Sequence, residues 1–279
     1  MRRALFIPNG TGGSAADHRL RFGIGGRLSE QLKGSLSTLW GDYDGNVENV
    51  ANGQDVNGYQ RKGARGKLEF EPSEELRLTL IADYMKGEDT LPSGVITRAS
   101  AAFASQLRPV TPSAHNRDIN SDFKTHVEDE SQGLSAQLDW QLGDYTLTSI
   151  SAWRGWDNTQ YQDGDRRALL PVTASHDKGT VDYDQYSQEF RLTSPKGQFN
   201  EYVLGAFYMH GTSNETYRRL SVNDSVANNG RAEYSTSNDS VALFGENTFN
   251  FTDDLRAIFG LRWTHDDLEY DHRRVSTSA

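Results

Sequence analysis

The chain has 279 residues, a formal net charge of −10, 35% hydrophobic residues, a mean hydropathy of −0.72 and no cysteine. Such a composition leaves little aliphatic filling for a conventional globule, excludes disulfides and thiolate metal sites, and lacks the basic excess that wholesale nucleic-acid binding requires. No window approaches the roughly 18 consecutive apolar residues of a transmembrane helix, but a membrane β-barrel needs only alternate strand residues to be apolar and tolerates long polar loops.

Residues 1–18, with the run Gly10-Thr11-Gly12-Gly13-Ser14, read as a flexible lead-in. The apolar run Ala4 to Ile7 is far shorter than the hydrophobic stretch of a signal peptide, so no export signal is read there. From Arg19 a two-residue period begins. Leu20, Phe22 and Ile24 share one face, Ser29-Glu30 turns, and Leu32, Gly34, Leu36, Thr38 and Trp40 continue it. Asp42 to Gly58 is an acidic loop without the spacing of a calcium-binding loop.

A second hairpin joins Ala64, Gly66, Leu68 and Phe70 to Leu76, Leu78, Leu80, Ala82 and Tyr84 through the turn Glu71-Pro72-Ser73-Glu74-Glu75. Lys86 to Ser131 is a long polar segment, with a short helix expected over Ala99 to Gln106. The third hairpin carries Leu134, Ala136, Leu138 and Trp140, turns at Leu142-Gly143-Asp144, and returns from Tyr145 to Trp153 with its orientation open. Arg154 to Asp184 reads as a loop, Gln185 to Met209 as the fourth hairpin and His210 to Thr236 as another loop. The last hairpin runs from Ser240 to Phe251, turns at Thr252-Asp253-Asp254, and continues with Leu255, Ala257, Phe259, Leu261 and Trp263 on one face.

About ten strands result, and turns of two to six residues alternate with much longer loops, as in outer-membrane barrels. Aromatics gather near strand ends. Trp40, Tyr84, Trp140, Trp153 and Trp263 are the expected membrane-interface set, since an indole or phenol pairs an apolar body with a polar tip.

The segments GGRLSEQLKGSLS (Gly25 to Ser37), NGYQRKGARGKLEFEPSEELRLTLIADY (Asn57 to Tyr84), SQEFRLTSP (Ser187 to Pro195) and LFGENTFNFTDDLRAIFGLRWTHDD (Leu243 to Asp267), in this order, resemble the TonB-dependent receptors of Gram-negative outer membranes. Arg27 departs from the proline that such receptors often place after the paired glycines. The resemblance implies a barrel of roughly 22 strands around an N-terminal plug that imports ferric chelates or other scarce nutrients, with lipid outside and TonB acting through the plug. Ten strands are fewer than half of that number, and no plug, TonB box or terminal aromatic strand is recognised. The chain therefore reads as an internal piece of the early barrel, residues 19–279, expected by itself as an open, curved antiparallel sheet.

No catalytic constellation or cofactor motif stands out, so no enzyme and no cofactor are expected. His126, Glu128, Asp129 and Glu130, and likewise His265, Asp266 and Asp267, are candidate metal ligands only on paper, because adjacent strand residues point to opposite faces. Trp156, Tyr161, Arg166 and Arg167, placed in one external loop, are the first-ranked ligand contacts, by stacking or carboxylate pairing. Two other classes stay in view: a secreted soluble β-protein (a carbohydrate-binding sandwich or a propeller) and an outer-membrane barrel enzyme.

Overall fold

The computed structural model describes residues 3–11, 17–90, 94–164, 168, 175–221 and 230–276. In chain order the elements are β1 (Arg3–Thr11), β2 (Asp17–Arg27), β3 (Leu32–Tyr43), β4 (Val47–Asn49), β5 (Gln54–Val56), β6 (Gly58–Ser73), β7 (Leu76–Thr90), α1 (Ala101–Gln106), β8 (Asp118–Ile119), β9 (His126–Leu142), β10 (Tyr145–Asp163), β11 (Ser175–Thr193), β12 (Asn200–Ser221), β13 (Gly230–Asn250) and β14 (Arg256–Ser276). Eleven of the strands form one antiparallel sheet in the order β1-β2-β3-β6-β7-β9-β10-β11-β12-β13-β14, and β5, β4 and β8 form a small second sheet. The large sheet is a meander with β1 and β14 at its edges; it does not close into a barrel.

Register decides which side chains share a face. Leu20 lies opposite Trp40, Leu68 opposite Leu80, Leu134 opposite Trp153, Trp153 opposite Tyr186 and Leu243 opposite Trp263. These residues, with Phe22, Leu36, Phe70, Trp140 and Tyr208, form one continuous apolar face. On the return strand β10 the odd-numbered residues take this face, which settles the orientation of Tyr145 to Trp153. All five expected interface aromatics share it.

That face is uncovered: Leu134 is 56% exposed, Tyr186 55% and Leu243 56%. A soluble sandwich would pack a second sheet there, and a soluble monomer rarely exposes an apolar patch beyond a few hundred Å². In the module at the long-loop end, by contrast, the apolar side chains of Val47, Leu107 and Val110 are buried.

Two aromatic levels bound the apolar face. Trp140 sits two residues before the end of β9, whereas Tyr84 pairs with Gln132, eight positions back along that strand. At ~3.3 Å per residue this is about 26 Å of strand, or about 20 Å after the usual barrel tilt, close to an apolar band of about 25 Å. The polar tips at the far level find carboxylates beyond it: Trp153 Nε1 donates to Asp184 Oδ1 (2.9 Å) and the Tyr208 hydroxyl to Asp239 Oδ1 (2.8 Å).

Several segments differ from the sequence expectation. Arg3–Thr11, read as lead-in, pairs with β2 along its whole length. Most of Arg154 to Asp184 and of His210 to Thr236, read as loops, are strand, because cross-strand pairing continues well past the aromatic level where the apolar alternation stops. Pro72, expected in the turn, lies at the end of β6, where the register shifts between Phe70 and Ser73; the irregularity tolerates a residue that cannot donate to the ladder.

The long segment after β7 is folded as well. α1 begins at Ser100, whose Oγ accepts from the Phe103 N–H. β8 pairs with β4 in parallel, and Asn49 fastens the pair by donating to Ser121 O and accepting from Ser121 N. Ser121 Oγ donates to the buried Asp163 at 2.6 Å, which ties this module to the tip of β10.

Beyond the aromatic level on the apolar side, Asp157 pairs directly with Glu130 on β9 and Asp182 on β11. Loss of solvent, followed by the Asp182 carboxyl, holds the Asp157 pKa above its ordinary value. A raised carboxyl pKa costs stability as pH rises from the ordinary aspartate range through the raised value. Asp157→Asn is therefore expected to raise the thermal midpoint at pH 7 and leave it unchanged below the ordinary aspartate range, as measured by thermal unfolding at the two pH values.

Candidate functional site

The face opposite the apolar one is charged. Along β2, β3, β6 and β7 it carries eight bases (Arg19, Arg21, Arg27, Lys33, Arg61, Arg65, Lys67 and Arg77) against five acids (Asp17, Glu69, Glu71, Asp83 and Asp89). Over these four strands a chain that is acidic overall thus presents a basic surface.

Nearest the short turns the charges are well matched. Lys33 Nζ bridges Glu69 Oε1 (2.9 Å) and Glu71 Oε2 (3.1 Å), and Arg77 Nε donates to Glu71 Oε1 (3.0 Å). At the level of the far aromatics lies a row of cross-strand neighbours: Arg65, Asp83, Gly133, Arg154 and Gln185. Arg154 donates through both terminal nitrogens to the two Asp83 oxygens, each at 3.1 Å, although β9 lies between them. Gly133 permits this, since a Cβ there would lie 2.5 Å from Arg154 Nη2. Arg65 Nη1 stands 4.0 Å from the same carboxylate, and its side chain is 59% exposed.

One level further out the same device recurs. Arg61 donates to Asp89 Oδ2 (2.6 Å) across Gly87, where a Cβ would fall 2.9 Å from Arg61 Nη1. The Tyr59 ring lies between two guanidinium groups, Arg61 at 5.3 Å and Arg19 at 5.7 Å from its centroid. Asp17 accepts from Arg19 Nε (3.0 Å) and from the Tyr59 hydroxyl (3.0 Å). The Arg19 guanidinium, first among these causes, holds the Asp17 carboxyl below the ordinary aspartate range.

Of the four ligand candidates, Trp156 and Tyr161 lie on β10 and not in a loop, and their five-residue separation places them on opposite faces. Trp156 joins the charged wall: its Nε1 donates to Asp129 Oδ1 (3.2 Å), which also accepts from Asn158 Nδ2 (2.8 Å). Tyr161 turns the other way, stacked on His126 (4.4 Å between centroids), with Lys178 Nζ 4.9 Å from its ring centre. Arg166 and Arg167 lie outside the described residues. Among the described residues no group of three or more His, Asp or Glu gathers as a metal site would require; alternation sends Asp129 to one face and His126, Glu128 and Glu130 to the other.

The Arg65–Asp83–Arg154 cluster escaped the sequence reading because its members stand 18 and 71 residues apart and meet only through register. The one local signal is Gly133, a glycine inside a strand where a neighbour's side chain must pass. Because Arg154 is half exposed, its pairing with Asp83 is worth about 0.5–1 kcal/mol. Gly133→Leu is expected to abolish that coupling, as a double-mutant cycle of Asp83→Asn and Arg154→Gln, with and without the leucine, measures by thermal unfolding.

No curated protein matches the chain by sequence. Among solved structures, the ferric yersiniabactin uptake receptor of Yersinia pestis superposes with a TM-score of 0.77 at 16% identity, covering 99% of this chain and 40% of that one. The ferripyoverdine receptor of the outer membrane of Pseudomonas aeruginosa gives 0.71 at 16% identity, covering 99% and 38%. The unliganded ferric citrate transporter gives 0.64 at 12% identity, covering 94% and 37%. These likenesses establish a shared fold, and the chain spans about two-fifths of the length of each neighbour. The family model described as TonB dependent receptor-like, beta-barrel matches residues 11–279, and the chain belongs to that family.

Proposed function

We propose that this chain is part of the wall of an outer-membrane receptor that imports a ferric chelate or another scarce nutrient in a TonB-dependent manner. The observation that carries the reading is the two-sidedness of the sheet: an exposed apolar band bounded by aromatics on one face, a hydrated charged wall on the other. Lipid satisfies no backbone hydrogen bonds, so such a sheet functions in a closed barrel, with the apolar face toward lipid and the charged face toward the lumen. Trp40, Tyr84, Trp140, Trp153 and Trp263 then anchor the wall at the headgroup levels. The short turns face the periplasm and the module of β4, β5, β8 and α1 faces outward.

The function is transport, without bond-making chemistry at this wall. Solute arrives from the long-loop side, where Trp156 and the lumenal arginines meet it. TonB acts on a plug inside the barrel, as the family resemblance implies, and the plug's displacement opens the path. The structural neighbours, receptors or transporters for ferric yersiniabactin, ferripyoverdine and ferric citrate, support a chelate as cargo. Deleting the gene in its host is expected to abolish energised uptake of at least one ⁵⁵Fe-labelled chelate under iron limitation, with the same loss in a tonB-deficient background. Uptake of a panel of chelates that is unchanged by the deletion would refute the assignment.

A further inference from the structure

We propose that Arg65 and Arg154 form a lumenal oxyanion pocket that takes a carboxylate group of a soluble anionic solute. The proposal rests on the transport reading only in requiring that this face be open to solute. A cavity of about 170 Å³ lies at the cluster, bounded by Arg65, Asp83, Arg154, Gln185, Ser135 and Ala152 among others. At ~30 Å³ per water this is space for about six waters, enough for one carboxylate and its nearest hydration, and too small for a whole chelate. The ligand enters by one group.

The charges favour an anion. Two guanidinium groups share one carboxylate, so the cluster keeps a net positive charge. Each guanidinium carries five N–H donors; Arg154 directs two terminal nitrogens at Asp83, and Arg65 approaches Asp83 only to 4.0 Å. Arg61, Lys33 and Arg77, by contrast, each hold a carboxylate within 3.0 Å. Gln185 Oε1 accepts from the Tyr183 hydroxyl (2.8 Å), which leaves its amide nitrogen as the donor end. The small residues Gly133, Ser135 and Ala152 keep the floor low beneath these donors. A carboxylate set between planar guanidinium forks gains paired, charge-assisted hydrogen bonds.

Position favours solute from outside. Asp83 and Arg154 are the sequence neighbours of Tyr84 and Trp153, which mark the aromatic level of the apolar face away from the short turns, so the pocket opens at the outer end of the apolar band.

The test is equilibrium dialysis of the protein, extracted from outer membranes in mild detergent, against radiolabelled citrate at low and high salt. Expected is saturable binding that weakens with salt, falls about tenfold or more in Arg65→Gln, as loss of a charge-assisted contact implies, and is partly retained in Arg65→Lys. Arg65 is chosen because its exposed side chain can change without stripping Asp83 of its main partner. Citrate binding that does not saturate, or is equal in wild type and Arg65→Gln, overturns the pocket. Chelate uptake gauges the transport reading separately: loss of the pocket with uptake intact sinks only this inference, and saturable binding in a protein that supports no uptake sinks the transport reading alone.

Discussion

The large sheet of this chain depends on one constraint: a strand carries its N–H and C=O groups in the plane of the sheet and its side chains alternately above and below it. Pairing with both neighbours satisfies the backbone of every strand of the large sheet between its edges β1 and β14, so these strands carry no uncompensated ladder into an apolar medium. The side chains are then free to be chosen for two different solvents. That is why Leu134, Trp153 and Tyr186 sit in one cross-strand row while Gly133, Arg154 and Gln185, each one residue away, form another on the opposite face. A slip of one residue would exchange the two sets, so the large difference in polarity between the faces pins the register.

The same alternation limits which charges can meet. On a strand, neighbouring carboxylates such as Asp266 and Asp267 diverge, and encounters between charges run across strands, at fixed spacing. Arginine exceeds that spacing when a glycine clears its path. Arg154 over Gly133 and Arg61 over Gly87 both use this route, and both place a guanidinium on a carboxylate that is not its direct neighbour. The result is a wall whose ion pairs are matched near the short turns and under-compensated near the far aromatics, where Arg65 retains most of its hydrogen-bonding capacity.

At the long-loop end, order comes from polar side chains and a small apolar core. Asn49 and Ser121 exchange two hydrogen bonds, Asn116 bridges Ile96 O and Asp118 O, and Val47, Leu107 and Val110 are buried beside them. Gly45, with φ of +115° and Val56 O only 2.2 Å from where a Cβ would stand, lets the chain turn tightly into this module. The segment after β7 is thus a shaped rim to the sheet, and α1 within it starts at its capping serine, close to where the sequence placed it.

By itself the sequence determined the strand alternation, the short turns, the aromatic levels and the family, because each depends on residues within a few positions of one another. Leu76, Leu78, Leu80, Ala82 and Tyr84 need no partner to declare a two-sided strand. Strand lengths were hidden, since beyond Trp153 and Met209 both faces of a strand are hydrated and the apolar period vanishes while hydrogen-bond pairing continues. The tertiary structure alone decided the site: it separated Trp156 from Tyr161 by face, joined Arg65 and Asp83 to Arg154, and used Gly133 to make room for them. Such encounters depend on register across strands distant in sequence, and neither composition nor local period encodes which residue stands opposite which.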